Sequence, residues 1–170
     1  MTIDPKSLSL VYYPDDILIT KAKPVDVADK HVLATAKRMI EVMFEHAGVG
    51  LAAPQVGLSW RLFVTRDPED ENEGIVWLNP TIEIINDEME LVEEGCLSLP
   101  EIRGDIKRPI GIRITGHDLN GNETTMESED FITRIWQHEY DHLDGILIID
   151  KMSAMGRLMN RKKIKNLGRE

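Results

Sequence analysis

The sequence predicts an α+β fold in which short antiparallel and mixed sheets surround a central helix, with a further helix at the C-terminus. Three observations predict it: two segments with apolar residues at helical spacing, short β-branched runs between them, and an Asn-Gly pair that joins two of those runs.

The first predicted helix covers residues 26–46. Leu33, Ala36, Met39, Ile40, Met43 and Phe44 recur along one side, Lys37, Arg38, Glu41 and Glu45 along the other, and Gly48 supplies a stop. That stripe is core packing and implies no cofactor. Strands are predicted over 61–65, 75–78, 81–85 and 110–116. Asn120-Gly121 reads as a hairpin turn in which both residues take positive φ. The central helix is predicted to run from 128 or 129 to 143, with Ser128 as N-cap and Gly145 as left-handed stop. Phe131, Ile132, Ile135, Trp136 and Leu143 make it apolar on more than one side, so it should be buried. A last strand is predicted over 146–149, and a helix in the basic segment after it.

No linker, repeat or low-complexity stretch divides the chain, so one domain is expected, with 1–150 as its body and 151–170 as a basic C-terminal helix or tail. At 170 residues and 42% apolar content it can build a core without covalent staples. No apolar run approaches the ~20 residues needed to cross a bilayer. The first residues also lack the basic and apolar regions of a signal peptide, so no membrane partner and a cytoplasmic location are expected. The formal charge of −10 is uneven: 151–170 holds seven cations against Glu170, a surplus of +6 that leaves the body at −16. An acidic body excludes general nucleic-acid binding, while the tail suits a phosphate-rich partner.

The most informative stretch is Gln137-His138-Glu139-Tyr140-Asp141-His142. On a helix this spacing stacks His138 and His142 on one face, where both can bind one metal ion. Glu139 then lies beside the ion's open side, placed to take a proton from water. Buried charged groups are expensive without partners, and a metal provides one. Cys96 is the only cysteine, which excludes an internal disulfide and suits a reducing compartment. It follows a strand-like run that breaks at Gly95, where the backbone can approach a ligand closely, and its thiolate is a candidate third ligand. Gly48-Val49-Gly50-Leu51-Ala52-Ala53-Pro54-Gln55 fits a loose G-x-G-x-x-A pattern, but a helix and not a strand precedes it, which excludes the dinucleotide reading. The segment reads instead as a cleft wall with Gln55 poised to donate a hydrogen bond.

These three segments, in this order and at these separations, resemble the signature motifs of the peptide deformylases, over residues from about 8 to 150. The resemblance implies a metal-dependent hydrolase that releases formate from the N-terminal formylmethionine of nascent polypeptides. It implies Cys96, His138 and His142 as ligands, Glu139 as general base and then acid, and Gln55 with the N–H of Leu97 as oxyanion donors. The metal implied is Fe(II) in the cell, with Zn(II), Ni(II) or Co(II) as substitutes. Val49, Val92, Phe131 and Ile135 are expected around the methionine side chain, and the substrate backbone beside Val49, Gly50 and Gly95. Glu94 is expected to pair with Arg103, and Asp141 to orient a ligand histidine. Arg134 is expected to reshape the pocket rim. The same resemblance suggests that the tail docks on the ribosome, and a monomer is expected.

Two other readings stay open at this point. A zincin-type metallopeptidase shares the H-E-x-x-H helix, yet only 28 residues follow His142 and none is a His. A non-catalytic relative that binds metal or formylated peptides has no use for Glu139 and Gln55 as a proton carrier and a donor.

Overall fold

The computed structural model describes residues 3–168. Five strands form one antiparallel sheet in sequence order: β1 Gly50–Ala52, β2 Leu62–Arg66, β3 Gly74–Cys96, β4 Leu99–His117 and β5 Glu123–Ser128. The helices are α1 Lys30–Glu45, α2 Ile132–Leu143, α3 Ile148–Lys151 and α4 Ala154–Leu167. This is the α+β class expected, with α2 central and α4 at the C-terminal end. Among the described residues, parallel pairing is confined to an isolated bridge between Lys23 and Trp60.

The sheet's inner strands are covered on both faces. Leu51, Leu62, Val64, Val76 and Leu78 pack with Val32, Ala36, Met39, Val42 and Met43 of α1. Their neighbours in sequence, Ala52, Phe63 and Trp77, pack with Ile112, Ile114 and Trp136 and Leu143 of α2. Side chains alternate along a strand, so a run that is apolar throughout feeds two helices at once. Trp77 and Trp136 meet edge to face at 6.1 Å between ring centres, which anchors α2 to the sheet.

Several boundaries differ from the sequence expectation. The runs 75–78 and 81–85 are parts of the single strand β3, whose pairing with β4 shifts register near Leu78, Ile84 and Asn86. α1 begins at Lys30, where Asp29 caps the N–H of His31. It ends with Gly48 donating to Met43 O and Ala47 to Phe44 O, so the left-handed residue is Ala47 (φ 53°) and not Gly48. In the β4–β5 connection Gly121 takes positive φ (78°) while Asn120 does not. Asp118 accepts the N–H groups of Asn120 and Asn122, which makes a longer loop than a two-residue turn. α2 begins at Ile132, because Ser128 closes β5 and accepts from Asp130 N–H. Gly145 ends it at φ 71°, and a Cβ there would meet Ile19 backbone at 2.7 Å. Residues 146–149 are not a strand: Asp150 accepts the Leu147 N–H at 2.8 Å and starts α3. Leu147, Ile148 and Met152 there pack on Leu99, Ile102 and Ile106 of β4.

The basic segment forms α4, held to β4 by Asn160, whose amide donates to Arg103 O at 2.9 Å. Arg169 and Glu170 of the predicted tail lie outside the described residues.

Candidate active site

Three elements deliver the site. α2 carries His138, Glu139 and His142. The β3–β4 hairpin turns tightly after Cys96, which pairs with Leu99 across the turn. A short 3-10 turn, Ala53–Val56, follows β1 and carries Gln55. All border one cleft of about 400 Å³, whose walls include Val49, Gly50, Gly95, Leu97, Phe131, Arg134 and Ile135.

Cys96, His138 and His142 bring one ligand atom each within 4.8 Å of the others. Cys96 Sγ lies 3.4 Å from His142 Nε2, and the two histidine Nε2 atoms are 3.2 Å apart. Tetrahedral bonds of about 2.0 Å to nitrogen and 2.3 Å to sulfur put ligand atoms roughly 3.3–3.6 Å apart. The two separations of 3.4 and 3.2 Å lie close to that range, so the three donors fit a first-row divalent ion, and the thiolate-plus-imidazole set suits zinc or iron. Burial pushes the His142 imidazolium well below its usual range, whereas for His138 burial is overcome by hydrogen bonds to Cys96 and Glu94, which raise it.

Glu94 fixes the first histidine. Its Oε1 lies 3.0 Å from His138 Nδ1 and accepts a hydrogen bond from the Nδ1–H, which leaves the Nε2 lone pair facing Cys96 and His142. Glu94 is itself clamped by Arg108, at 2.7 Å from Nε and 3.0 Å from Nη2, and by Arg134 Nη1 at 2.7 Å. Burial alone raises the Glu94 pKa, but the hydrogen bonds from His138 and Arg108 overcome it and hold the carboxyl well below the ordinary range.

The expected Glu94–Arg103 pair does not form. The hairpin register sets Arg103 opposite Gly95, on the other face of the strand pair from Glu94, and Arg103 pairs with exposed Glu93 at 2.8 Å. Glu94 shares its face with Ile106 and Arg108. Asp141 likewise contacts no ligand histidine: it accepts from Arg108 Nη1 at 2.8 Å and so braces the clamp from outside. Arg108 escaped the sequence reading, which began the predicted strand only at residue 110 and so gave Arg108 no face to share with Ile106.

Glu139 is buried, and its Oε2 has no hydrogen-bond partner among the described residues. Burial, partly offset by His138, pushes its carboxyl up to about 7, where it can both accept and return a proton near neutrality. Gly50 faces it: a Cβ there would stand 2.6 Å from Glu139 Oε1. Gln55 is oriented by its own backbone turn, since Oε1 accepts the Ala52 N–H at 3.0 Å. Its Nε2 is thereby aimed at Ser98 Oγ (3.3 Å) and Cys96 Sγ (3.5 Å), beside the three ligand atoms.

Of the residues expected around the substrate, Val49, Gly50, Gly95, Leu97, Phe131 and Ile135 border the cleft, as does Arg103. Val92 does not. It lines a neighbouring cavity of about 210 Å³, because Arg134 lies in the intervening space. Arg134, expected to reshape the pocket rim, borders the cleft with its guanidinium buried, where it donates to Glu94, Ile106 O and Glu90 O.

The family model described as polypeptide deformylase matches residues 7–158. The chain is 43% identical over 157 residues to the peptide deformylase of Thermotoga maritima, covering 92% of this chain and 94% of that one. It is 45% identical over 143 residues to the peptide deformylase of Borreliella burgdorferi, covering 84% and 86%. A plant peptide deformylase crystal structure superposes with a TM-score of 0.90 at 36% identity, over 98% of this chain and 91% of that one.

Proposed function

The chain belongs to the peptide deformylase family, and on that premise we propose that its cleft hydrolyses the formamide bond of N-formylmethionyl polypeptides, with each residue of the site in a defined role. The observation that supports this most is the convergence of Cys96, His138 and His142 beside a buried carboxylate, Glu139, whose Oε2 has no partner among the described residues.

Cys96, His138 and His142 are proposed to hold a divalent ion, Fe(II) in the cell and Zn(II), Ni(II) or Co(II) as substitutes. Such an ion supplies Lewis acidity and brings a water's pKa near neutrality. Glu139 takes the proton of the attacking water at Oε2 and delivers it to the departing amine. Gln55 Nε2 and the Leu97 N–H donate to the formyl oxygen as negative charge grows on it, binding it more tightly than the ground state. Glu94 keeps His138 in the correct tautomer, with Arg108 and Asp141 holding Glu94 in turn. Val49, Phe131 and Ile135 surround the methionine side chain, and the peptide backbone lies extended beside Gly50 and Gly95.

In this reading 1–150 is the catalytic part and 151–170 the basic C-terminal segment to which α4, Ala154–Leu167, belongs. Among the described residues no helix is long and apolar enough to cross a membrane. We place the reaction in the cytoplasm, on a monomer that meets nascent chains as they emerge. α4 exposes Arg161, Lys162 and Lys165 next to Met155, Leu158 and Met159, a surface suited to ribosomal RNA and protein. Salt-sensitive co-sedimentation with ribosomes tests that part, and salt-independent or absent association removes it.

Formate release from formyl-Met-Ala-Ser by anaerobically prepared, metal-loaded protein tests the reaction. A zincin-type peptidase would cleave an internal peptide bond and release no formate. A non-catalytic binder would bind the peptide and leave it intact.

A further inference from the structure

We propose that Phe131 and Arg134 form a partition that ends the side-chain pocket of the cleft, and that this partition sets an upper limit on the length of the N-terminal side chain the site accepts. The inference rests on the formylpeptide reading above. The cleft of about 400 Å³ and the neighbouring cavity of about 210 Å³ have only these two residues in common, so Phe131 and Arg134 stand between them. The far cavity has an apolar wall of Val92, Pro109 and Ile110 beside the polar Glu90, Glu129, Asp130 and Thr133, so an unbranched hydrocarbon chain that enters it packs on that one wall.

Arg134 is fixed in the partition. It donates to Glu94 Oε2 at 2.7 Å, Ile106 O at 2.9 Å and Glu90 O at 2.9 Å, and its side chain is 6% exposed. Swinging it aside would leave a buried carboxylate and two carbonyls short of a donor, so a long substrate side chain cannot displace it by its own binding. Phe131, by contrast, is 62% exposed and immediately precedes α2, so it can be truncated without emptying the core.

The test compares formyl-X-Ala-Ser peptides with X as methionine, norleucine, 2-aminooctanoate and 2-aminodecanoate. A pocket that continued to bury methylenes would gain roughly fourfold in kcat/KM for each one. The partition predicts instead that the wild-type protein falls at least tenfold between norleucine and 2-aminodecanoate. Arg134→Ala should raise the ratio of 2-aminodecanoate to methionine at least tenfold. That ratio is insensitive to any uniform loss from the weakened Glu94 clamp. Phe131→Ala should move it in the same direction and stands in should Arg134→Ala not fold. Ile110→Phe, which fills the far cavity, should return the ratio of either opened variant to within threefold of wild type. Wild-type tolerance of the longest chain overturns the proposal, as does an unchanged ratio in the opened variants or a failure of Ile110→Phe to reverse them. Dissociation constants of the unformylated X-Ala-Ser peptides, measured by calorimetry, should follow the same order. If the wild-type protein binds Met-Ala-Ser but releases no formate, the assigned reaction fails while the binding series still decides on the partition.

Discussion

Arg108 offers the sharpest test of how the site is held. It is 3% exposed, and it donates twice to Glu94 and once to Asp141. Arg108→Met keeps the apolar stem and removes the charge, which leaves Glu94 with Arg134 and His138 and leaves Asp141 with Lys151 at 3.5 Å. Removing one partner of a buried pair typically costs about 3–5 kcal/mol. For a chain of this size that corresponds to a drop in Tm of roughly 6–20 °C. Because Glu94 orients His138, metal affinity should fall too, by roughly 10–100-fold, the usual effect of removing a group that orients a ligand. The assay is thermal unfolding of the metal-free protein, followed by metal competition with a chromophoric chelator. The double variant Glu94→Gln/Arg108→Met should be more stable than the sum of the single losses implies, since each single change already removes the same two hydrogen bonds between these residues. An Arg108→Met protein that melts within about 3 °C of wild type and binds metal unchanged would refute the view that this clamp supports the site.

The other predictions address individual atoms. Gln55→Ala should lower kcat by roughly 10²–10³-fold with peptide binding retained, and unchanged turnover would remove Gln55 from oxyanion binding. Gly50→Ala puts a methyl group into Glu139 Oε1, so it should reduce turnover far more than it reduces Tm, and equal proportional losses would count against the contact. Iron-loaded protein should lose activity in air as the Cys96 thiolate or the metal oxidises while zinc-loaded protein persists, and equal durability of the two would count against a thiolate ligand.

The metal ligands were legible because their chemistry is written in linear order: two histidines at helical spacing with a carboxylate between, and a cysteine at a strand break. The arginine partner of Glu94 was not. Choosing between Arg103 and Arg108 requires the β3–β4 register, in which a one-residue slip moves a side chain to the other face, and nothing local to either arginine fixes that register. The apolar runs 61–65 and 75–78 pointed to strands, but not to burial on both faces, which depends on where α1 and α2 come to rest. The segment 146–149 misled because a short apolar run reads alike in a strand and in a buried helical turn; the capping bond from Asp150 decides it. That Arg134 shapes the cleft was legible from its place on α2, but its three acceptors were not, because β3 and β4 contribute them.

The double covering of the sheet also gives the two halves of the site separate supports. The layer beneath α1 holds Val32, Met39 and Val64 and runs on through Ala53, Val56 and Leu97 to the turn that aims Gln55, whereas the layer beneath α2 is tied through Trp136 to the same helix that bears His138. A lost methyl group in the first layer therefore loosens the grip on the formyl oxygen, while one beneath Trp136 tilts the very rod on which the ion is mounted.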